Sequence, residues 1–268
     1  MVRKLFKHEC IAHLRVWLPV NLILLAVALF GKIIQFFESD QIIYDTAISS
    51  SVTIYIVAIY VAVGFTSLFP LIRYYKNLFS GEGYLSFSLP VTPSQHIFVK
   101  LLGALVFSVA TTVAIILSLC IITSGDLLLE ICRAAEYIIR QVVRELKVHF
   151  WLYLLELLVL SVVASSASYM FYYTCITIGQ TAKKHRIGAA IGVYFIFYIV
   201  TQVISSILLV FAAIIPEETW ESWGKAFADN YRASIHILFG VLIVGCLLYA
   251  AIMFLVSRTI IAKKLNLE

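Results

Sequence analysis

The sequence predicts an all-α polytopic membrane protein with six transmembrane helices. Three observations predict it. First, 62% of the 268 residues are hydrophobic and only 13% are Asp, Glu, Lys or Arg, about half the charged share of roughly 25% in soluble domains. Second, the mean hydropathy is +0.98. Third, the apolar residues fall in continuous runs rather than in strand-like alternation, which sets aside an outer-membrane barrel. A soluble core cannot absorb this much apolar surface and leave so few charges to cover it. An ordinary globular enzyme, a disordered chain and a disulfide scaffold are excluded together.

A helical span needs about 20 apolar residues. Six runs meet this, over 16–37, 48–72, 97–123, 150–179, 187–215 and 235–256. They leave no room for a separate soluble catalytic domain, so 1–268 reads as a single transmembrane domain. Lysine and arginine set the orientation. With the N-terminus inside, thirteen of the 20 basic residues face the cytoplasm: Arg3, Lys4, Lys7, Arg15, Arg73, Lys76, Lys100, Lys183, Lys184, Arg186, Arg258, Lys263 and Lys264. Only Glu9, Glu82 and Glu268 oppose them there. The outside is acidic on balance. Both termini are therefore expected in the cytoplasm of a cell (plasma) membrane protein. The basic residues read as topological anchors, and no nucleic-acid partner is expected.

The chain opens with a basic, amphipathic stretch over 2–17. Leu5, Phe6, Ile11, Leu14 and Trp17 can share one side, with Arg3, Lys4, Lys7 and Arg15 elsewhere. That pattern predicts an interfacial helix that turns into the first span. No small-residue cleavage site follows the first apolar run, so it is expected to remain as an anchor.

Between the second and third spans, residues 73–96 read RYYKNLFSGEGYLSFSLPVTPSQH. Gly81, Gly83, Pro90 and Pro93 are strong breakers. Yet Tyr84, Leu85, Phe87 and Leu89 put aromatic and aliphatic groups into what should be a wet loop. Such a loop is tucked against the membrane or docked to a partner. Thr92-Pro93-Ser94 reads as a stop and restart before the third span.

Residues 124–149 carry apolar groups at helical period, with charges on the other faces, and predict an external amphipathic helix with Asp126 at its start. Residues 216–232 read PEETWESWGKAFADNYR. They predict a short surface helix or a re-entrant turn, and Trp220 and Trp223 suit the outer interface.

Within the spans, Glu156 is the lone acidic residue. Ionisable groups there are costly and often functional. Trp151 and Tyr153 beside it place it near the outer headgroups, and Lys32 is a candidate partner. Ser161, Ala164, Ser165 and Ser168, with Gly188 and Gly192 in GxxxG spacing, read as close helix packing. No proline interrupts a span at its middle, so the broken helices of many secondary transporters are not indicated. HExxH, GxSxG and GxxxxGK[ST] are absent, and no paired Asp sits on one span. The five cysteines show no CxxC spacing, which fits neither a metal site nor a disulfide framework. No catalytic residue and no metal ligand is expected.

The segment Glu82-Gly83-Tyr84-Leu85-Ser86-Phe87-Ser88-Leu89-Pro90-Val91 resembles the EGYLxxxLPV motif of bacterial ABC-transporter permeases of the type 2 exporter class. Lys100 opening the third span, the six-span layout and the Lys264–Glu268 ending are similar to that class as well. The long external segment 124–149 departs from its shortest members. The resemblance implies a permease subunit working with a separate ABC ATPase on the cytoplasmic side. ATP and Mg would then be bound by that ATPase and no cofactor by this chain. A second permease copy or homologue would complete the path. Glu82, Gly83, Tyr84, Leu85, Phe87, Leu89 and Pro90 would form the coupling loop that docks the ATPase, with a short cytoplasmic coupling helix between spans 2 and 3. A hydrophobic or amphipathic substrate, peptides included, would be exported. Two alternatives stand beside this: an ion- or proton-coupled transporter using Glu156, and a non-transporting scaffold or sensor subunit.

Overall fold

The structure is a computed structural model. It describes residues 2–35, 41–81, 83–88, 90–123, 133–134, 136–137, 140–141, 143, 148–182 and 184–264, with only the backbone at 41–45, 85–87, 148 and 264. The described residues form α-helices without strands: α1 (Val2–Ile34), α2 (Gln41–Phe79), α3 (Gly83–Ser88), α4 (Pro93–Ile122), α5 (Val148–Gly179), α6 (Arg186–Ile214), α7 (Glu217–Asp229) and α8 (Tyr231–Lys264). Six of them are long and apolar enough to cross a membrane. At most 28% of the apolar window in any of the six is buried within the protein. Helices that satisfy their own backbone and leave so much apolar surface uncovered suit a lipid solvent. The chain is a multi-pass membrane protein.

The chain divides into two compact units, 1–142 and 143–268. In the first, α1 packs on both α2 and α4, and α2 packs on α4 and α3. The buried residues of α4 explain the packing. His96, Lys100, Gly103, Phe107, Thr111, Ala114, Ser118 and Ile122 are all buried, and they recur every three or four residues, so they form one stripe. The matching stripe of α1 is Glu9, His13, Asn21, Leu24, Ala28 and Gly31. Leu24, Ala28, Tyr55, Ala62 and Ile122 make its apolar core. Gly31 lets α4 come close, since a Cβ there would sit 3.2 Å from Ile122 Cδ1.

Two expectations change in this unit. The amphipathic segment 2–17 does not turn into the first span: α1 is one helix of 33 residues, with Pro19 inside it. The loop expected over 73–96 is also shorter, because α2 runs on to Phe79 and buries Tyr74 and Leu78 completely. The cause is shared: Glu9 and Arg73 pair with each other and hold both extensions against the bundle. The restart before the third span stands where expected. Pro93 opens α4, and the Thr92 amide donates to Gln95 Oε1 at 3.0 Å, satisfying a donor that a helix start would leave free.

In the second unit, α5 packs on α8 and α6, and α7 touches α8. Tyr169, Met170, Tyr173, Thr174, Thr177, Met253, Ser257 and Ile261 are buried there. Thr174 Oγ1 donates to Met253 O at 3.0 Å and lies 3.0 Å from Ser257 Oγ. Helix α6 has no buried residue. The helix expected over 124–149 lies mostly outside the described residues. Those described there include the ion pair Glu136–Arg140, four residues apart.

Candidate functional site

The segment expected to dock a partner sits where two long helices end. α2 stops at Phe79, Gly83 N donates to Ser80 O at 2.7 Å, and α3 follows as one and a half turns over Gly83–Ser88. Glycine at 83 is buried, Tyr84 is 62% exposed, and Pro90 is exposed. α3 packs against α2. Glu82 and Leu89 lie outside the described residues, and at Leu85 and Phe87 only the backbone is described. The described part is a short helix that shows an aromatic ring to its surroundings.

Both arms of this segment are fixed by one carboxylate. Arg73 Nε donates to Glu9 Oε1 at 3.0 Å, and Arg73 Nη2 to Oε2 at 2.9 Å. This is the forked geometry that makes Arg–carboxylate pairs strong. Lys100 Nζ reaches the same two oxygens at 3.3 and 3.4 Å. Glu9 is 6% exposed and Lys100 5%. Arg73 lies near the end of α2 and Lys100 near the start of α4, so α1 ties together the two helices that carry the segment.

The cluster continues along α1. His13 Nδ1 lies 3.0 Å from Glu9 O, its ring stacks on Phe107 and meets Phe69 edge-on. Trp17 Nε1 donates to Thr111 Oγ1 at 2.8 Å, and Thr111 Oγ1 lies 2.8 Å from Thr66 Oγ1. Asn21 Nδ2 donates to Trp17 O at 2.9 Å. Gly103 makes room for the cluster, since a Cβ there would lie 3.3 Å from Glu9 Cγ. In the sequence Arg73 and Lys100 read as topological anchors, Lys100 also as the lysine that opens the third span, and Glu9 only as an acid opposing them. A signal was present: Glu9, His13, Trp17 and Asn21 are spaced by four, which stacks them on one helix face.

In the second unit, Glu156 Oε1 lies 2.8 Å from His236 Nδ1, and His236 Nε2 lies 3.0 Å from His149 Nδ1. Tyr153 stacks on His236 with ring centroids 4.3 Å apart, and its hydroxyl donates to Arg232 O at 2.9 Å. With Glu156 as carboxylate, His236 donates from Nδ1, and a neutral His236 accepts from His149 at Nε2. The three form a hydrogen-bonded chain across α5 and α8. Glu156 therefore has its partner in its own unit, whereas Lys32 reaches Gln35 Oε1 at 3.4 Å.

The residues expected to pack spans are placed as follows. Ser161 Oγ donates to Leu158 O at 2.8 Å and Ser165 Oγ to Ser161 O at 2.7 Å, both within α5. A Cβ at Gly188 would meet only His185 Cβ, at 3.9 Å, and one at Gly192 would meet nothing within 4 Å. The tight approach of α5 and α6 lies at Gly179, where a Cβ would fall 2.5 Å from the Ala190 backbone. Cys10, Cys120, Cys175 and Cys246 are free thiols. Among the described residues no group of three His, Cys, Asp or Glu is placed to hold a metal ion. Comparison with family models, curated proteins and solved structures finds no match to this chain.

Proposed function

We propose that the chain is the transmembrane subunit of an ATP-driven exporter of the ABC type, moving a hydrophobic or amphipathic substrate across the cell membrane. The observation that carries this reading is the 82–91 segment. It combines the motif resemblance with a short helix, Gly83–Ser88, that stands between two spans and exposes Tyr84. A separate ATPase would dock on that helix from the cytoplasm, where both termini would also lie. The Glu9–Arg73–Lys100 cluster would make the segment's two arms move with α1. A second copy or homologue would supply the other half of the path.

The test is co-purification with the ATPase. Deleting residues 81–90 should abolish it while membrane insertion continues. Tyr84→Ala, which leaves the backbone intact, should weaken it at least about tenfold, the effect of a buried aromatic anchor at an interface. Undiminished co-purification of both variants sinks the reading.

The His149–His236–Glu156 chain favours a second reading, a proton-coupled transporter that needs no ATPase. Carboxylates and histidines on spans are the usual parts of proton relays. Glu156→Gln decides between the two. It should abolish transport in a proton-coupled carrier and leave ATP-driven export in place.

A further inference from the structure

The thirteen-residue helix α7 is unlike the other helices described above. Its neighbours in the chain are two spans, α6 ending at Ile214 and α8 starting at Tyr231. The connections hold only Ile215, Pro216 and Asn230. So α7 must lie close to the level at which α6 and α8 leave the membrane. At 100° per residue, Trp220, Trp223 and Phe227 fall on one side of the helix, and Glu218, Glu221, Lys225 and Asp229 fall on the other. The apolar side is about half exposed among the described residues. Trp220, Trp223 and Phe227 are 46%, 55% and 45% exposed. Trp220 Nε1 donates to Ala212 O at 3.3 Å, which draws the indole back towards the end of α6. Tyr231 adds a further aromatic at the start of α8.

We infer that α7 is a membrane-surface helix, with Trp220, Trp223 and Phe227 set into the lipid headgroup layer and its charged side in water. A helix that lies on a bilayer differs from one that crosses it in having many polar residues, sharply separated from a narrow apolar face. Indole rings prefer that depth because an apolar body and an N–H donor are both satisfied there. A deep re-entrant course would carry four acidic side chains, Glu217, Glu218, Glu221 and Asp229, into hydrocarbon with the indoles. The inference needs only the spans on either side. It stands apart from the ATPase reading, and the failure of either leaves the other intact.

The test is depth-resolved fluorescence quenching of the full chain in phosphatidylcholine vesicles. The emission of Trp220 and Trp223 is taken as the difference between the wild type and the variant carrying Trp220→Phe and Trp223→Phe. Acyl chains brominated near the headgroup should remove most of that difference emission. Chains brominated near the terminal methyl should remove less, and aqueous iodide should remove little. Dominant quenching by iodide places the indoles in water and overturns the inference. Dominant quenching by deep bromines overturns it in favour of a re-entrant turn. Resistance to all three quenchers means that protein covers the face, and overturns it too. Each single replacement gives its own difference spectrum, so the test survives a double variant that fails to insert.

Discussion

Around Glu9, one buried carboxylate meets two cations, and removing it leaves both without their shared anion. Breaking a buried pair from one side costs about 3–5 kcal/mol, far above what a surface pair is worth. Glu9→Ala should therefore lower stability by that amount in a denaturant titration in detergent. Glu156→Gln should behave differently. The glutamine oxygen still accepts from His236 Nδ1, so stability should fall by no more than about 1 kcal/mol, one ordinary hydrogen bond. Equal losses in the two variants would mean that the two sites are not built differently. At this scale the sequence was partly legible. Glu156 was conspicuous because no other acid falls within the six apolar runs of the sequence. Its partner was not, because His236 is 80 residues away and nothing local marks it. Glu9 was hidden for another reason. Charges beside an N-terminal span are normally read as orientation signals, and the bidentate contact to Arg73 spans 64 residues.

Among the helices, α5 is where small residues matter most. The Cβ of any residue larger than glycine at 179 would overlap the Ala190 backbone at 2.5 Å, and backbone cannot yield as a side-chain end can. Gly179→Val should cost about 1–3 kcal/mol, the usual penalty of overpacking, while Gly192→Val, with open space around it, should stay within about 0.5 kcal/mol. Thermal melts of the two variants side by side measure the difference. Thr174→Val removes the α5–α8 hydrogen bonds to Met253 and Ser257 and should cost about 0.6 kcal/mol, the average for such bonds between membrane helices. The existence of the six long helices was legible, because span-length apolar runs allow no other structure in lipid. The start of α4 was legible from turn chemistry at Thr92-Pro93. The ends of α1 and α2 were not. Their extensions mix basic with apolar residues, and they are held by long-range contacts, the Glu9–Arg73 pair and the burial of Tyr74 and Leu78, that no local pattern announces. GxxxG spacing at Gly188 and Gly192 marks a helix face that can be approached, but it does not say which neighbour approaches, or whether any does within this chain.

On the scale of the whole chain, the helices that pack extensively do so within 1–142 or within 143–268. Glu9 belongs to the first unit and Gly179 to the second. A chain carrying both Glu9→Ala and Gly179→Val should thus show the two single losses added, within about 0.5 kcal/mol, as for sites that share no partner among the described residues. A large coupling energy in that double-mutant cycle would show that the units answer to each other. This division could not be read from composition, since both halves are equally apolar to the eye and the break carries no run of glycine or proline. The position of Glu9 has a last consequence, and it concerns biosynthesis. Helix α6 carries no charge after Arg186 and can settle in lipid as soon as it emerges. Helix α1 cannot, because its carboxylate waits for Arg73, 64 residues later, and for Lys100, 91 residues later. At about 5–20 residues per second of translation, that wait lasts roughly 5–20 s. Until then the N-terminal turns of α1 have to stay in water or against the insertion machinery. Helix α1 is thus among those that need later helices before they can be completed.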